Sequence, residues 1–351
     1  MENPYSGLKN DAFWRTGVAD DFAPLEAIYT KKFHLNPKDK IAAAGSCFAQ
    51  HISRRLRSEG FNVLDKEPPP HLMPEIDFPR FGYRQYSARY GNIYTAQQLL
   101  QLAKEAFGDI KIELPVWSKD DRFFDALRPG IETEGHASHQ DVIDFRHHHL
   151  NKVRELFMDM DILIFTLGLT EHWFDREIGA VLPIAPGTIA GEYDPSRHEF
   201  RNAAFFEVYQ DFNSFQNYLF EKRDGRTFKS ILTVSPVPLT ATYEDRHVLV
   251  STVESKSILR AVAGQIAREQ ARVDYFPSFE IVNHPAAHSE NFEKNLRSVR
   301  PEAVSRVMSV FFGQHAVNQP STIETRSSLI SASGNEFVNC EEEVLESFNN
   351  A

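Results

Sequence analysis

The chain of 351 residues is long for one compact core and short for two large domains, and its 42% hydrophobic and 25% charged residues match an ordinary globular protein. A formal net charge of −11 repels phosphate backbones, which excludes nucleic acid as the expected partner, and no apolar run approaches the roughly 20 residues that cross a bilayer. Two cysteines, Cys47 and Cys340, are too few for a disulfide scaffold or a cysteine-based zinc site, and the opening MENPYSGLKNDAFW lacks the pattern of a secretory leader, so a cytoplasmic address is expected.

In chain order, residues 1–29 read as an N-terminal arm. KIAAAG (40–45) is expected to form a buried strand and FAQHISRRLRSEG (48–60) the helix after it. Phe48, Ile52 and Leu56 keep helical spacing there, and Gly60 ends the run. FNVL (61–64) reads as the next strand. An insertion over about 66–138 opens with KEPPPHLMPEIDFPRFGYR and contains the helix TAQQLLQLAKEAFG (95–108), capped by Thr95 and closed by Gly108. A helix over about 139–158 leads into the strand DILIFTLG (161–168), and GAVLPIAPGTIAGEYDPSRHEF (179–200) reads as a β-hairpin insertion with loops. Next come a helix over 205–222, the strand SILTVSPV (230–237), a helix over 251–271 and the strand VDYFPSFEIV (273–282). RPEAVSRVMSVFFGQH (300–315) closes the core, with Pro301 in its first turn. Residues 316–351 are rich in Ser, Asn and Glu and read as a loosely ordered polar tail in which Cys340 is incidental.

Strands separated by helices imply βα units and a parallel sheet covered on both faces. The expected architecture is therefore a three-layer α/β/α sandwich with a central parallel sheet, one domain over 30–315 with loop and hairpin insertions. In such sheets ligands bind outside the carboxyl ends of the strands. Gly45, Ser46 and Cys47 stand there, at a strand end running into a helix. The unpaired N–H groups and dipole of a helix N-terminus favour an anion, lower a thiol's pKa and can form an oxyanion hole. The other reading of the same residues is a small buried thiol under a helix that Ser46 caps. Position alone leaves both open.

GSCFAQHI resembles the signature of the GSCFA family, placed in the SGNH/GDSL hydrolase superfamily. The resemblance continues through RYGNIYTAQQLLQL (89–102), FTLGLTEHWFDRE (165–177), LTVSPVPLTAT (232–242), SKSILRAVAG (255–264), DYFPSFEIV (274–282) and NLRSVRPEAVSRVMSVFF (295–312), about residues 30–315 in all. It implies the flavodoxin-like sandwich of SGNH hydrolases. It also sets Gly45-Ser46-Cys47 on the superfamily's Gly-Asp-Ser, which makes Cys47 the nucleophile and Ser46 its structural, capping neighbour. A thiolate there would attack an acyl carbonyl and form a thioester. GLTE sets Gly168, Thr170 and Glu171 on the superfamily's Gly-x-Asn-Asp block, with the Thr170 hydroxyl as an oxyanion donor. Where the superfamily carries Asp-x-x-His, RSVRP has Arg297 and Arg300, and arginine cannot act as a base.

The base is therefore sought among other histidines. His247 in YEDRHVLV ranks first, then His172 directly after GLTE, then His284 in VNHPAAH, with His51 one turn beyond Cys47. A structural or solvated histidine is the ordinary alternative for each. RHHHL (146–150) is not read as a metal site, because consecutive helical residues point apart. Ser235 in SPVP is expected to shape the pocket. Asn92 in RYGN is a second oxyanion donor or only a turn residue. Lys256 and Arg260, one turn apart, form either an anion site or a solvated helix face. The expected activity is acyl transfer, as an esterase or O-acyltransferase on a carbohydrate or similar ester. The alternative is a catalytically weak carbohydrate-binding or assembly protein that keeps the fold. No metal or cofactor is expected, an acyl-CoA donor being a substrate, and the expected partner is a small-molecule or glycan acyl ester.

Overall fold

The computed structural model describes residues 3–19, 25–113, 115–287, 289–315 and 341–350. β1 (Ile41–Gly45) is buried along its whole length, as its run of small apolar residues dictates, and passes through Ser46 into α1 (Cys47–Ser58). α2 (Ala96–Ala106) follows, with Thr95 accepting the Gln98 N–H as its cap, and then the hairpin of β2 (Val116–Lys119) and β3 (Arg122–Asp125). α3 (His139–Asp159) starts on a Ser138–Asp141 capping box and leads to β4 (Ile162–Leu167). β5 (Glu171–Asp175), β6 (Ala180–Leu182) and β7 (His198–Asn202) precede α4 (Phe205–Lys222) and β8 (Lys229–Val234). The order closes with α5 (Val248–Glu269), β9 (Val273–Tyr275), α6 (Ser278–Asn283) and α7 (Pro301–His315).

β1, β4, β8 and β9 form a parallel sheet in the order β1-β4-β8-β9. Side-chain alternation sorts the strand residues between two helical layers. Ala42, Ala44, Leu163, Phe165, Leu232 and Val234 face a core shared with Leu99 of α2, Val153 of α3, Phe212 of α4 and Leu259 of α5. The other set, Ile41, Ala43, Ile162, Ile164 and Ile231, packs with Phe48 and Ile52 of α1, Ile281 of α6 and Val307 and Phe311 of α7. The protein is thus a three-layer α/β/α sandwich, and the parallel register puts the ends of β1, β4 and β8 on one edge, where Gly45 pairs with Thr166 and Leu167 with Val234. No helix among the described residues is long and apolar enough to cross a membrane.

Local chemistry moves several expected boundaries. FNVL contributes only a bridge between Val63 and Ile41, and past Leu64 the chain pairs elsewhere, the Lys66 N–H donating to Ser87 O (2.9 Å). VDYFPSFEIV is a strand only to Tyr275: Pro277 ends it and the rest turns into α6. Residues 179–200 do not pair into a hairpin of their own; β6 and β7 both add to β5, antiparallel, in the order β6-β5-β7. Residues 316–340, Cys340 among them, lie outside the described residues, but Glu341–Asn350 is a 3-10 helix whose first residue is buried, not a loose tail.

Candidate active site

The turn from β1 to α1 is built around Gly45. Its φ is +140°, and a Cβ there would lie 2.5 Å from the Thr166 carbonyl oxygen. Only glycine lets β1 run this close to β4 before the chain turns. The Ser46 N–H then donates to Thr166 O (3.1 Å), and Cys47 becomes the first residue of α1, a reduced thiol only 6% exposed. Ser46 occupies the N-cap position without capping: its side chain accepts no cap bond, and its buried Oγ has no hydrogen-bond partner among the described residues.

Cys47 opens onto a crevice walled by the ends of three strands: Ser46, Gly168 and Leu169, and Ser235 with the Val237–Leu239 loop, together with Tyr94, Lys256 and Glu342. Gly168 keeps it narrow, since a Cβ there would sit 3.0 Å from Ser46 Cβ and 3.1 Å from Tyr94 Cδ1. Its free volume is about 10 Å³, room for roughly one water. Leu169, Leu239 and Glu342 also line the neighbouring cavity of about 260 Å³, whose walls carry Trp173, Tyr193, Phe200 and Tyr243. These rings pack mainly edge-on, with Trp173 and Tyr243 centroids 4.8 Å apart. The β6-β5-β7 sheet and the loop after β8 build this cavity, so the insertion extends the crevice outward.

Beneath Cys47, Tyr86, Gln50 and Asn92 form a buried network. The Tyr86 hydroxyl reaches Ser46 O (3.1 Å) and Asn92 Oδ1, and Gln50 Nε2 donates to the same Oδ1 (3.3 Å). With its oxygen so engaged, Asn92 turns Nδ2 toward Glu341 Oε2 (3.4 Å). Lys256, buried on α5, donates from Nζ to Gly168 O at 2.5 Å. The expected solvated face is therefore not where Lys256 lies, because Ser251, Ser255, Leu259 and Val262 share its buried stripe. Arg260 goes elsewhere, to Glu280 and the Tyr275 ring.

None of the described residues lining the crevice is a histidine. His247 is exposed and caps α5, its Nδ1 accepting the Leu249 N–H at 3.1 Å. His172 points into the aromatic cavity; its Nδ1 donates to Thr170 O (3.0 Å), and burial pushes its pKa down. His284 is half-buried at the end of α6, lowered by burial and then by Arg306. His51 packs against the Phe48 ring. Thr170 also faces away from the expected oxyanion position: its hydroxyl donates to Asn202 Oδ1 (2.6 Å) and its N–H to Ser255 Oγ. Glu171 accepts from Thr242 Oγ1 (2.7 Å) on the wall of the aromatic cavity, and burial raises its carboxyl. The Ser235 N–H donates to Leu167 O (2.9 Å) and its Oγ accepts the Val237 N–H (3.3 Å), shaping the crevice wall.

The residues that sequence reasoning missed come from the far end of the chain. Glu341 and Glu342 are inserted over the site. Burial pushes the Glu341 carboxyl up to about 7, against hydrogen bonds from Asn92, the Gly130 backbone and Tyr94. Burial likewise raises Glu342, against the pull of Arg297 and Lys256. Arg297, itself buried, donates from Nη2 to Glu342 Oε2 (3.1 Å) and from Nη1 to Glu343 Oε1 (3.4 Å).

A parallel α/β/α sheet with a thiol on a helix N-terminus, at the carboxyl ends of its strands and beside an open cavity, defines a protein with a ligand-type site at its sheet edge. The family model GSCFA matches residues 40–311, and the chain belongs to the GSCFA family. Comparison with curated proteins and with solved structures gives no significant match.

Proposed function

We propose that this protein is an SGNH-like acyl-transfer enzyme, an esterase or O-acyltransferase acting on a carbohydrate or similar ester, with Cys47 as nucleophile. The observation that carries the reading is that Cys47, at the buried N-terminus of α1, shares one narrow crevice with the Lys256 ammonium group. The helix N-terminus and the cation both favour a thiolate, so the nucleophile does not depend on a histidine at its side. The sulfur adds to the acyl carbonyl carbon, and the carbonyl electron pair moves to oxygen. Backbone N–H groups at the start of α1 stabilise that oxyanion, while the Asn92 amide, committed to Glu341, supports the turn from beneath. Collapse breaks the ester C–O bond, Lys256 gives its proton to the departing alkoxide, and a Cys47 thioester remains. A sugar hydroxyl or water then attacks the thioester, returns a proton to neutral Lys256 and releases the thiolate. An acyl-CoA donor would enter the first half of the same cycle. The aromatic cavity offers a wall for the acyl chain or a sugar face.

The expected outcome is that Cys47→Ala and Lys256→Met each lower p-nitrophenyl acetate turnover by about two orders of magnitude or more, whereas Ser46→Ala and His247→Gln retain most of it. Unchanged turnover in Cys47→Ala removes the nucleophile, and the family fold then serves carbohydrate binding or assembly instead.

A further inference from the structure

Two buried cations, Lys256 of the crevice wall and Arg297, act on one carboxylate of the chain itself, Glu342. Arg297 stands in the loop before α7 and Lys256 on α5, and both are about 95% buried. Arg297 binds Glu342 with one nitrogen of its guanidinium fork, Lys256 acts on the same carboxylate, and Glu342 lines both the crevice and the aromatic cavity. A buried cation stripped of its anion is strongly destabilising, so whatever leaves this seat must be replaced by another anion or by water. The segment that fills it is lightly held. Glu343 at its start is half-exposed, Val344 and Phe348 are 39% and 57% exposed, and Leu345 is the side chain it places against the aromatic cavity. Few buried apolar contacts make such a segment one of the first to open.

We propose that Arg297 and Lys256 form a seat for a carboxylate carried by the substrate, and that Glu342 of the C-terminal segment occupies this seat in the resting protein. The inference rests on the acyl-transfer reading for what happens at Cys47, not for the binding of the anion. It gives the substrate a chemical class: an acyl ester with a free carboxylate on its acyl or its acceptor part, long enough to reach from the seat to the sulfur. Arg297 suits this role because a planar guanidinium forks onto a carboxylate, and a bound carboxylate next to the crevice positions the ester carbonyl over Cys47. The same contact makes the C-terminal segment a competitor for the substrate.

The test is binding of glutarate and of its neutral diamide to the full-length chain by titration calorimetry, with Cys47→Ala included so that the thiol is not needed. Wild type is expected to bind glutarate weakly, and Glu342→Gln, which vacates the charge from the seat, about tenfold more tightly, with the diamide at least about tenfold weaker in both. Adding Arg297→Gln to Glu342→Gln abolishes the preference, and Arg297→Lys keeps part of it. Equal binding of glutarate and diamide to Glu342→Gln overturns the proposal without using any Arg297 variant. A preference for inorganic phosphate over glutarate overturns it as well. If glutarate binds as expected while Cys47→Ala retains full esterase turnover, the seat stands and the nucleophile does not; if turnover depends on Cys47 but glutarate shows no preference, the reverse holds.

Discussion

Gly45 concentrates what one residue does for this site. Its φ of +140°, and the 2.5 Å that would separate a Cβ from Thr166 O, forbid any side chain. Gly45→Ala is therefore expected to cost about 3 kcal/mol or more in urea unfolding, from backbone strain plus the clash. A cost under about 1 kcal/mol would mean that β1 and β4 can separate at this turn. Strand-end position pointed to Gly45, Ser46, Cys47, Gly168 and Ser235, because strand ends are where this architecture places ligands, and for Cys47 and Gly168 it took the family resemblance as well to single them out. Four of them line the crevice, with Gly45 forming the turn into it. The resemblance put Thr170 on the oxyanion position, but two residues past Gly168 the chain is already entering β5 and the Thr170 hydroxyl turns to Asn202. For Lys256 the sequence left an anion site and a solvated face open, and the helix pattern favours burial. Lys256 lies within the buried stripe that runs through Ser251, Ser255 and Leu259, and a lysine within such a stripe signals a buried cation in need of a carbonyl or anion.

Among elements, helical periodicity located α1 to α5 and α7, while strand content was overestimated at FNVL, which gives only a bridge, and past Tyr275, where Pro277 ends the strand. Sequence could not foretell that Glu341–Asn350 folds back on the site, because its composition is that of a polar tail and only the buried cations of distant segments give it a place. The docking of this element carries a pH dependence with a definite sign. Glu341, facing Asn92, Tyr94 and the Gly130 backbone, has its folded pKa raised to about 7 from an ordinary 4.5. Glu342, facing Arg297, Lys256 and Glu343, is raised too. Arg297 and Lys256 favour the charged form of Glu342 in the docked segment, so the pH dependence comes from Glu341: its docked, protonated form is fully supported below about 4.5 and loses that support as pH rises through about 7. Hydrogen exchange of 341–350, corrected for the intrinsic rate, is expected to lose at least about tenfold protection between pH 5 and pH 8, and Glu341→Gln to flatten the change. Constant or increasing protection would contradict this.

The whole molecule titrates in the opposite sense. His149, the last histidine of RHHHL, is buried against Glu67, its Nδ1 donating to Oε2 at 2.7 Å. Burial lowers His149 to about 4. Burial alone would raise Glu67, but His149, Arg128 and the Arg89 N–H together hold it well below the usual carboxylate range. Burial also lowers His315 to about 4. Groups with depressed folded pKa values stabilise above their unfolded values and lose that contribution as pH falls, here from about 6.5 toward 4. Asp211, raised to about 6, and Glu341 offset part of the loss. The urea midpoint is expected to fall from pH 7 to pH 4.5, and less steeply in His149→Gln; an identical slope in both would place the acid sensitivity elsewhere. The central claim, that the thiol of the β1–α1 turn takes up an acyl group, is tested most directly by mass spectrometry of the full-length chain quenched in acid during turnover of p-nitrophenyl acetate. An acetyl group on the peptide containing Cys47, labile to hydroxylamine and absent from Cys47→Ala, is the expected result. Acetylation at Ser46 or at no residue, while the ester is still being hydrolysed, would contradict it.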